Sequence, residues 1–506
     1  MEKVKDQFIQ ILGREAVLIE DEQVKEFHDP YEAKGSTEHQ PSFVVQPSTV
    51  EEVQAVVKLA NDLGIHLWTS SMGRNYGYGG SAPVVNGAVV LNLRRMNKIL
   101  EINEEVGYAL IEPGVSFFDL YNELKKRGSK LMMSVPDLGW GSIMGNALEH
   151  GYGYTVNGDN ASAVCGLEVV LPTGEVLRTG QGAITNSPSW NSHKRGFGPS
   201  LDSIFMQSNF GVVTKMGIWL APEPEVMTTG FVLYQGKDVS KLIDTLRPLM
   251  LDGTIQGYPL IVSNQYLNDK DDQSIDDPVY LAKRAKMIPL SPPARWSARI
   301  AFFGQEEMVK TRESIVREAI SKLPDAILDV RTYPGNVPQE EVFPGDLVQA
   351  GIPNMLLMDM AKEAIGESLG HIDFSPVIPF SGEAASRHYN MYNEILAEAG
   401  LISLNGWIAN SRSLVGVCMV FYDTNDTEEL KAAHTAVRKM VEKAGEWGWS
   451  EYRSHPSLIN HVTERFDFND QILSKFYTRL KDAVDPNGIL SPGNHGIWPS
   501  NYSDRK

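Results

Sequence analysis

The chain has 506 residues, 42% of them hydrophobic, which is enough for two or more domains with ordinary cores. Acidic side chains outnumber basic ones by 64 to 46, and the net charge of −18 argues against nucleic acid or anionic membrane surfaces as partners. Cys165 and Cys418 both lie in apolar runs, which excludes a disulfide framework and a four-cysteine metal site and predicts buried free thiols.

Met1 to Glu20 is punctuated by charge and has no apolar core of a signal peptide or membrane span, so a soluble, cytoplasmic protein is expected. Ser42 to Gln46 alternates like a strand, and Ser48 with Glu51 predicts a capping box ahead of a helix. Val53, Val56, Val57, Ala60 and Leu63 mark the apolar face of that helix. After Gly64, Ile65 to Trp68 is a short buried strand that delivers the chain to Ser70-Ser71-Met72-Gly73-Arg74-Asn75-Tyr76-Gly77-Tyr78-Gly79-Gly80. Glycine permits positive φ and close backbone approach, so successive N–H groups in such a loop converge on an anion such as phosphate. Its two tyrosines point to something bound beyond the phosphate. Further strands are predicted at Ala88 to Leu93 and Tyr108 to Glu112, a helix at Phe117 to Lys126 and a hairpin at Pro172-Thr173-Gly174-Glu175, an α+β mixture.

A second glycine tract runs from Val135-Pro136-Asp137-Leu138-Gly139-Trp140-Gly141-Ser142-Ile143-Met144-Gly145-Asn146 through Gly151-Tyr152-Gly153-Tyr154 to Gly158-Asp159. A third is Gln207-Ser208-Asn209-Phe210-Gly211-Val212-Val213-Thr214. Three such tracts beside strands favour a long ligand with a pyrophosphate in its middle. No G-x-G-x-x-G with a following acidic residue and no G-x-x-x-x-G-K-[ST] occurs, so neither a Rossmann fold nor a P-loop is indicated.

From about Pro222 amphipathic helices take over, one carrying Val316, Ala319, Ile320 and Leu323, another capped at Asp426 and carrying Leu430, Ala433, Val437 and Val441. Strand-like runs at Trp296 to Phe303, Leu401 to Ile408 and Val415 to Tyr422 predict an antiparallel sheet covered by helices, with Asn268 to Asp277 an exposed acidic loop. Turn chemistry returns at Asp485-Pro486-Asn487-Gly488-Ile489-Leu490-Ser491-Pro492-Gly493-Asn494, a tail expected to rejoin the first region.

The tracts Gly73 to Gly80, Pro136 to Ser142, Glu451-Tyr452-Arg453-Ser454-His455 and Asp485 to Ile489 together resemble the vanillyl-alcohol oxidase and 4-cresol dehydrogenase flavoproteins, over nearly the whole chain and nearest to the eugenol-oxidising branch. The resemblance implies an FAD-binding domain in two parts, 1–222 and 450–506, with a cap domain at 223–449, and oxidation of para-substituted phenols. It places FAD against Ser70, Ser71, Met72, Gly73, Arg74, Asn75, Tyr76, Gly77, Pro136, Gly141, Ser142, Gly145, Asn146, Gly153, Tyr154, Gly158, Gly211, Val213 and Asn494. His371, in Gly370-His371-Ile372-Asp373-Phe374-Ser375-Pro376, matches the histidine bonded covalently to the flavin in the oxidase branch. Tyr78, Tyr452 and Arg453 match the family's phenolate-binding trio, and Asp137 matches a carboxylate beside the flavin's reactive nitrogen.

The chemistry agrees. Hydride loss from the para-carbon needs the electron push of a phenolate, and a phenol with a pKa near 10 is only about 0.1% ionised at pH 7. Bringing that pKa near 7 takes about 4 kcal/mol of preferential anion binding, which two tyrosine hydroxyls and an arginine can supply in a dry pocket. Asp137 is expected to act as base when water adds to the resulting quinone methide. Two positions depart from the family pattern. Asn494 stands where a cation is expected, and Asp373 where relatives carry a small or apolar residue; Asp373 is expected to face either the para-substituent or solvent, and Ser375 is placed in the substrate pocket.

Dioxygen as final electron acceptor, with release of hydrogen peroxide, is the expectation that His371 favours. The alternatives are a cytochrome-coupled dehydrogenase, which lacks a C-x-x-C-H in this chain and so needs a partner subunit, a 2-hydroxy-acid oxidoreductase of the same fold, and a flavin-binding protein without turnover. The short polar segment Gly182 to Pro199 predicts a homodimer, because it lacks the longer insertion associated with octamers.

Overall fold

The computed structural model describes residues 2–32, 35–264 and 294–502. In the first sheet Phe43–Val45, Val89–Asn92 and Leu67–Ser70 run parallel in that spatial order, with Val17–Leu18 antiparallel at the edge. The helix Val50–Leu63 connects Phe43–Val45 to Leu67–Ser70 and fully buries Val53, Val56, Val57 and Ala60, each valine contributing about 2 kcal/mol of apolar transfer. Its cap lies one residue later than Ser48 and Glu51 predict. Thr49 accepts from the Glu52 amide at 3.2 Å, while Glu52 accepts from both the amide and the hydroxyl of Ser48. Leu63 does not join the buried face. It is 42% exposed, at the point where Gly64 turns the chain away with φ 64°.

A second sheet is antiparallel, in the order Ile99–Asn103, Tyr108–Ile111, Val212–Trp219, Val164–Val170 and Val176–Arg178. The hairpin between its last two members closes where Gly174 donates to Leu171.

The largest sheet is also antiparallel. It runs Ala326–Pro334, Val226–Tyr234, Trp296–Gly304, Leu260–Ser263, Ile402–Ala409, Ser413–Asp423, Pro376–Pro379 and Ser450–Glu451, with Leu369–Phe374 also paired to Ser413–Asp423. The helices Val239–Leu251, Glu306–Ser321, Gly382–Ala399 and Thr427–Glu446 supply side chains to its two apolar cores, the helix-covered antiparallel sheet that the residue pattern predicts. The acidic stretch Asn268 to Asp277 lies outside the described residues.

The C-terminal segment comes back to the first sheet. Leu67 donates to the Ile489 carbonyl at 2.8 Å, Ser491 donates to the Leu67 carbonyl at 2.7 Å, and the Thr69 amide donates to Ser491 Oγ at 3.1 Å. Beneath this seam Lys481 and Asp485 form a fully buried ion pair, and Lys481 Nζ also donates to the carbonyls of Asn209 and Leu490. Satisfying every donor is what permits a charged pair at such depth. Cys165 and Cys418 are buried and free. No helix among the described residues is long and apolar enough to cross a membrane.

Candidate active site

A cavity of about 460 Å³ lies where the three glycine tracts, the large sheet and the C-terminal segment converge. Ser70 through Tyr78, Pro136, Asp137, Gly141, Ser142, Gly145, Asn146, Tyr154, Gly211, Val213, His371, Asp373, Tyr452, Arg453 and Asn494 all line it. Gly153 and Gly158 do not. They face each other across a tight turn, the Gly153 amide donating to the Gly158 carbonyl at 2.7 Å, and a Cβ on Gly158 would meet the Tyr258 ring at 2.3 Å; their smallness serves packing between protein segments. Ser375 also lies outside the lining, wholly buried behind Tyr78.

The first glycine loop leaves Leu67–Ser70 and is pinned from below. Asn92 Nδ2 donates to Ser70 Oγ at 3.0 Å and to the Ser71 carbonyl at 2.7 Å, while Arg74 lies over the Trp140 ring at 5.1 Å. Among the described residues, no backbone N–H from Met72 to Asn75 donates a hydrogen bond within the protein. Met72 to Arg74 are half-buried and Asn75 is exposed, and a run of free donors on a cavity wall fits a phosphate-bearing ligand. A Cβ on Gly145 would stand 2.5 Å from Ser71 Oγ, which brings the second tract flush against the first. This donor set fits the pyrophosphate of FAD.

At another part of the wall three side chains gather. The Arg453 guanidinium lies 5.2 Å from the Tyr452 ring centre and 5.9 Å from that of Tyr78, and it is held by the backbone, Nε donating to the Glu149 carbonyl at 2.6 Å and Nη2 to that of Asn146 at 3.3 Å. Burial opposes its charge, but Tyr452, Tyr78 and Glu149 outweigh that and raise its pKa. Burial, Tyr452 and Asp373 push the Tyr78 phenol well above its usual range, so Tyr78 is a hydroxyl donor and not a base. Tyr78 reaches Ser375 Oγ at 2.5 Å, and Ser375 is fixed by its amide donating to Glu451 Oε1 at 3.1 Å.

Asp137 has both oxygens engaged: Arg299 Nη1 donates to Oδ1 at 2.6 Å, and the Tyr154 hydroxyl donates to Oδ2. Arg299 and the carboxylate are 7% and 12% exposed, a nearly buried ion pair whose carboxylate lines the cavity. Sequence reasoning passed over Arg299, although a lone charge inside the apolar run Trp296 to Phe303 was the available signal. It also passed over Glu149 and His495, which pair at 3.1 Å beside Arg453; His495 follows the neutral Asn494 and brings an ionisable ring to that part of the cavity.

His371 and Asp373 sit two residues apart on Leu369–Phe374 and so face the same side, while Ile372 and Phe374 turn into the helix-covered core. Asp373 lines the cavity, one of the two surroundings expected of it, and its Oδ1 lies 2.8 Å from His371 Nδ1. The strand alternation that carries His371 to the cavity carries Asp373 with it.

A fold of parallel and antiparallel FAD-domain sheets with a helix-covered antiparallel sheet, together with this cavity, defines a flavin-dependent oxidoreductase. Residues 41–180 match the model of the FAD binding domain, and residues 414–495 that of the FAD linked oxidases, C-terminal domain. The chain is 32% identical to the 4-cresol dehydrogenase [hydroxylating] flavoprotein subunit of Pseudomonas putida, over 98% of this chain and 95% of that one. It superposes on the 4-ethylphenol oxidase of Gulosibacter chungangensis, solved with isoeugenol, with a TM-score of 0.90 at 32% identity over 99% and 97% of the two chains. Against substrate-bound p-cresol methylhydroxylase the TM-score is 0.89 at 31% identity, over 99% and 98%. The chain belongs to this family of FAD-linked oxidoreductases, the vanillyl-alcohol oxidase and 4-cresol dehydrogenase flavoproteins.

Proposed function

We propose that the protein oxidises para-substituted phenols, namely 4-alkylphenols, 4-allylphenols of the eugenol type and 4-hydroxybenzyl alcohols, using FAD attached at His371 and dioxygen as the final electron acceptor. The observation that carries this is the convergence of Tyr78, Tyr452 and the backbone-locked Arg453 on one cavity, two phenol hydroxyls and a fixed cation that suit a phenolate oxygen. The domain division that goes with it is 1–222 and 450–506 for FAD and 223–449 for the cap. A cytoplasmic homodimer completes the proposal.

Flavin held there would supply a hydride acceptor for the carbon attached to the phenol's para position, with dioxygen as the final acceptor and hydrogen peroxide as its product. Ser70 to Gly77 would hold the pyrophosphate through amides, and Arg453 would balance charge beside the ring. Tyr78 and Tyr452 donate to the phenol oxygen while Arg453 compensates its negative charge, so the substrate binds as phenolate. Loss of hydride leaves a para-quinone methide. Asp137, oriented by Arg299 and Tyr154, accepts a proton from water adding at its exocyclic carbon to give an alcohol; loss of a side-chain proton instead gives an alkene, and a substrate already bearing a benzylic hydroxyl gives the carbonyl.

A panel of 4-alkylphenols and 4-hydroxybenzyl alcohols mixed anaerobically with the yellow enzyme tests this. Bleaching of the flavin absorbance by several members is expected, with peroxide formed when air is admitted. Failure of every member to bleach it would sink phenol oxidation; bleached enzyme that stays reduced for minutes in air would sink only the oxidase half and favour the cytochrome-coupled alternative.

A further inference from the structure

Asp373 is a carboxylate on the cavity wall that the proposed phenol chemistry does not use. Its partner is His371, at 2.8 Å from Nδ1 to Oδ1, with the two side chains 8% and 14% exposed. The pair is wedged in place. A Cβ on Gly77 would stand 2.5 Å from Asp373 Oδ2 and 2.6 Å from His371 Cε1, so the glycine loop lies directly against both. The rings of Tyr31 and Phe421 flank the imidazole at centroid distances of 4.9 and 6.2 Å.

A carboxylate only accepts, so a neutral imidazole facing it through Nδ1 must carry its proton there. Among the described residues no hydrogen bond engages Nε2, and its lone pair is the one left for bonding. A nucleophile held by a third group in this way is the arrangement that activates histidines and serines elsewhere.

We propose that Asp373 is a positioning residue for covalent flavin attachment: it fixes the Nδ1–H tautomer of His371, presents Nε2 to the flavin, and compensates the positive charge that bond formation creates on the imidazole. The proposal rests on His371 being the attachment point. In the step, a bond forms between Nε2 and the methyl carbon of the isoalloxazine ring, and that methyl loses a proton. The electron pair passes into the ring, which is left two-electron reduced. The imidazole then gives up its Nδ1 proton on the side Asp373 faces. Dioxygen takes the two electrons and two protons to give hydrogen peroxide, restoring oxidised, covalently held flavin.

The test follows attachment and not turnover. Wild type, Asp373→Asn, Asp373→Ala and His371→Ala are incubated aerobically with excess FAD, and the flavin retained in the acid-precipitated pellet is measured over time. Wild type is expected to retain flavin and His371→Ala to retain none. Asp373→Ala should attach flavin at least tenfold more slowly than wild type, while Asp373→Asn, which keeps an acceptor for Nδ1–H but no charge, should fall between them. Attachment at the wild-type rate in either Asp373 variant overturns the proposal with the His371 assignment intact. Flavin released by acid from wild type, or retained by His371→Ala, overturns the His371 assignment itself and this proposal with it.

Discussion

Tyr78 and Ser375 are 297 positions apart in sequence, yet their side-chain oxygens lie 2.5 Å apart. Ser375 is wholly buried and does not line the cavity, so on the proposed reading it supports the tyrosine hydroxyl from behind. Tyr78→Phe removes a donor from the phenolate and should lower kcat/KM for a 4-alkylphenol about 10²- to 10³-fold. Ser375→Ala removes only the orienting bond, worth about 1 kcal/mol, and should lower it about fivefold. Steady-state kinetics on both variants checks the ranking; equal losses would contradict the supporting role of Ser375.

Arg299 and Asp137 are nearly buried partners, so removing one strands the other. Arg299→Met is expected to cost about 3–5 kcal/mol in chemical denaturation, because an uncompensated carboxylate is left in a low-dielectric wall. Adding Asp137→Asn should recover part of that loss, and a double variant no more stable than the single one would show that the charge pair is not its source.

Glu451 is buried, its Oε2 has no partner among the described residues, and burial pushes its carboxyl up to about 8 despite the hydrogen bond from Ser375. The folded state therefore keeps a proton that the unfolded state loses near the ordinary glutamate pKa of 4.5. Stability from this group is fully present below the unfolded pKa and declines as pH rises towards the folded one, at about 1.4 kcal/mol per pH unit. Glu451→Gln should gain stability relative to wild type across that window and show no relative gain below it, measured as unfolding free energy at several pH values.

Asp29 joins the N-terminal region to the segment after Arg453, its Oδ2 lying 2.8 Å from His455 Nε2. Burial alone would raise the Asp29 carboxyl; the charge and hydrogen bond of His455 outweigh it, so the folded pKa lies below the ordinary aspartate range. A depressed carboxylate stabilises above its unfolded pKa and loses that contribution as pH falls through the folded one. Asp29→Ala should cost about 3 kcal/mol at pH 7, since it also leaves a buried histidine unpartnered. In acid the gap between Asp29→Ala and wild type should narrow, which thermal unfolding at pH 7 and pH 3 can compare.

Much of the fold was legible because its signals are local. Apolar spacing marked Val53 to Ala60 and Leu430 to Val441, and the glycine tracts announced a cavity wall before any packing was known. What stayed hidden depends on contacts across the chain. Ser48–Glu51 and Thr49–Glu52 both satisfy the capping spacing, and the hydrogen bonds of Ser48 with Glu52 accompany the later one. Gly153 and Gly158 look like Gly145, but only the surrounding side chains distinguish a cavity wall from a packed turn. Asp373 was expected to face the para-substituent or solvent; strand alternation puts it on the cavity side with His371, and their 2.8 Å contact was not legible in the sequence.

The bonds that tie Leu67 and Thr69 to Ile489 and Ser491 bear on how the protein is made. The strand that launches the first glycine loop leaves the ribosome 422 residues ahead of the segment clamped against it. A nascent chain halted before residue 489 carries every glycine tract but lacks that clamp. Completion of the cavity therefore waits until that segment has been made, and a ligand that needs the closed cavity has to be captured after it.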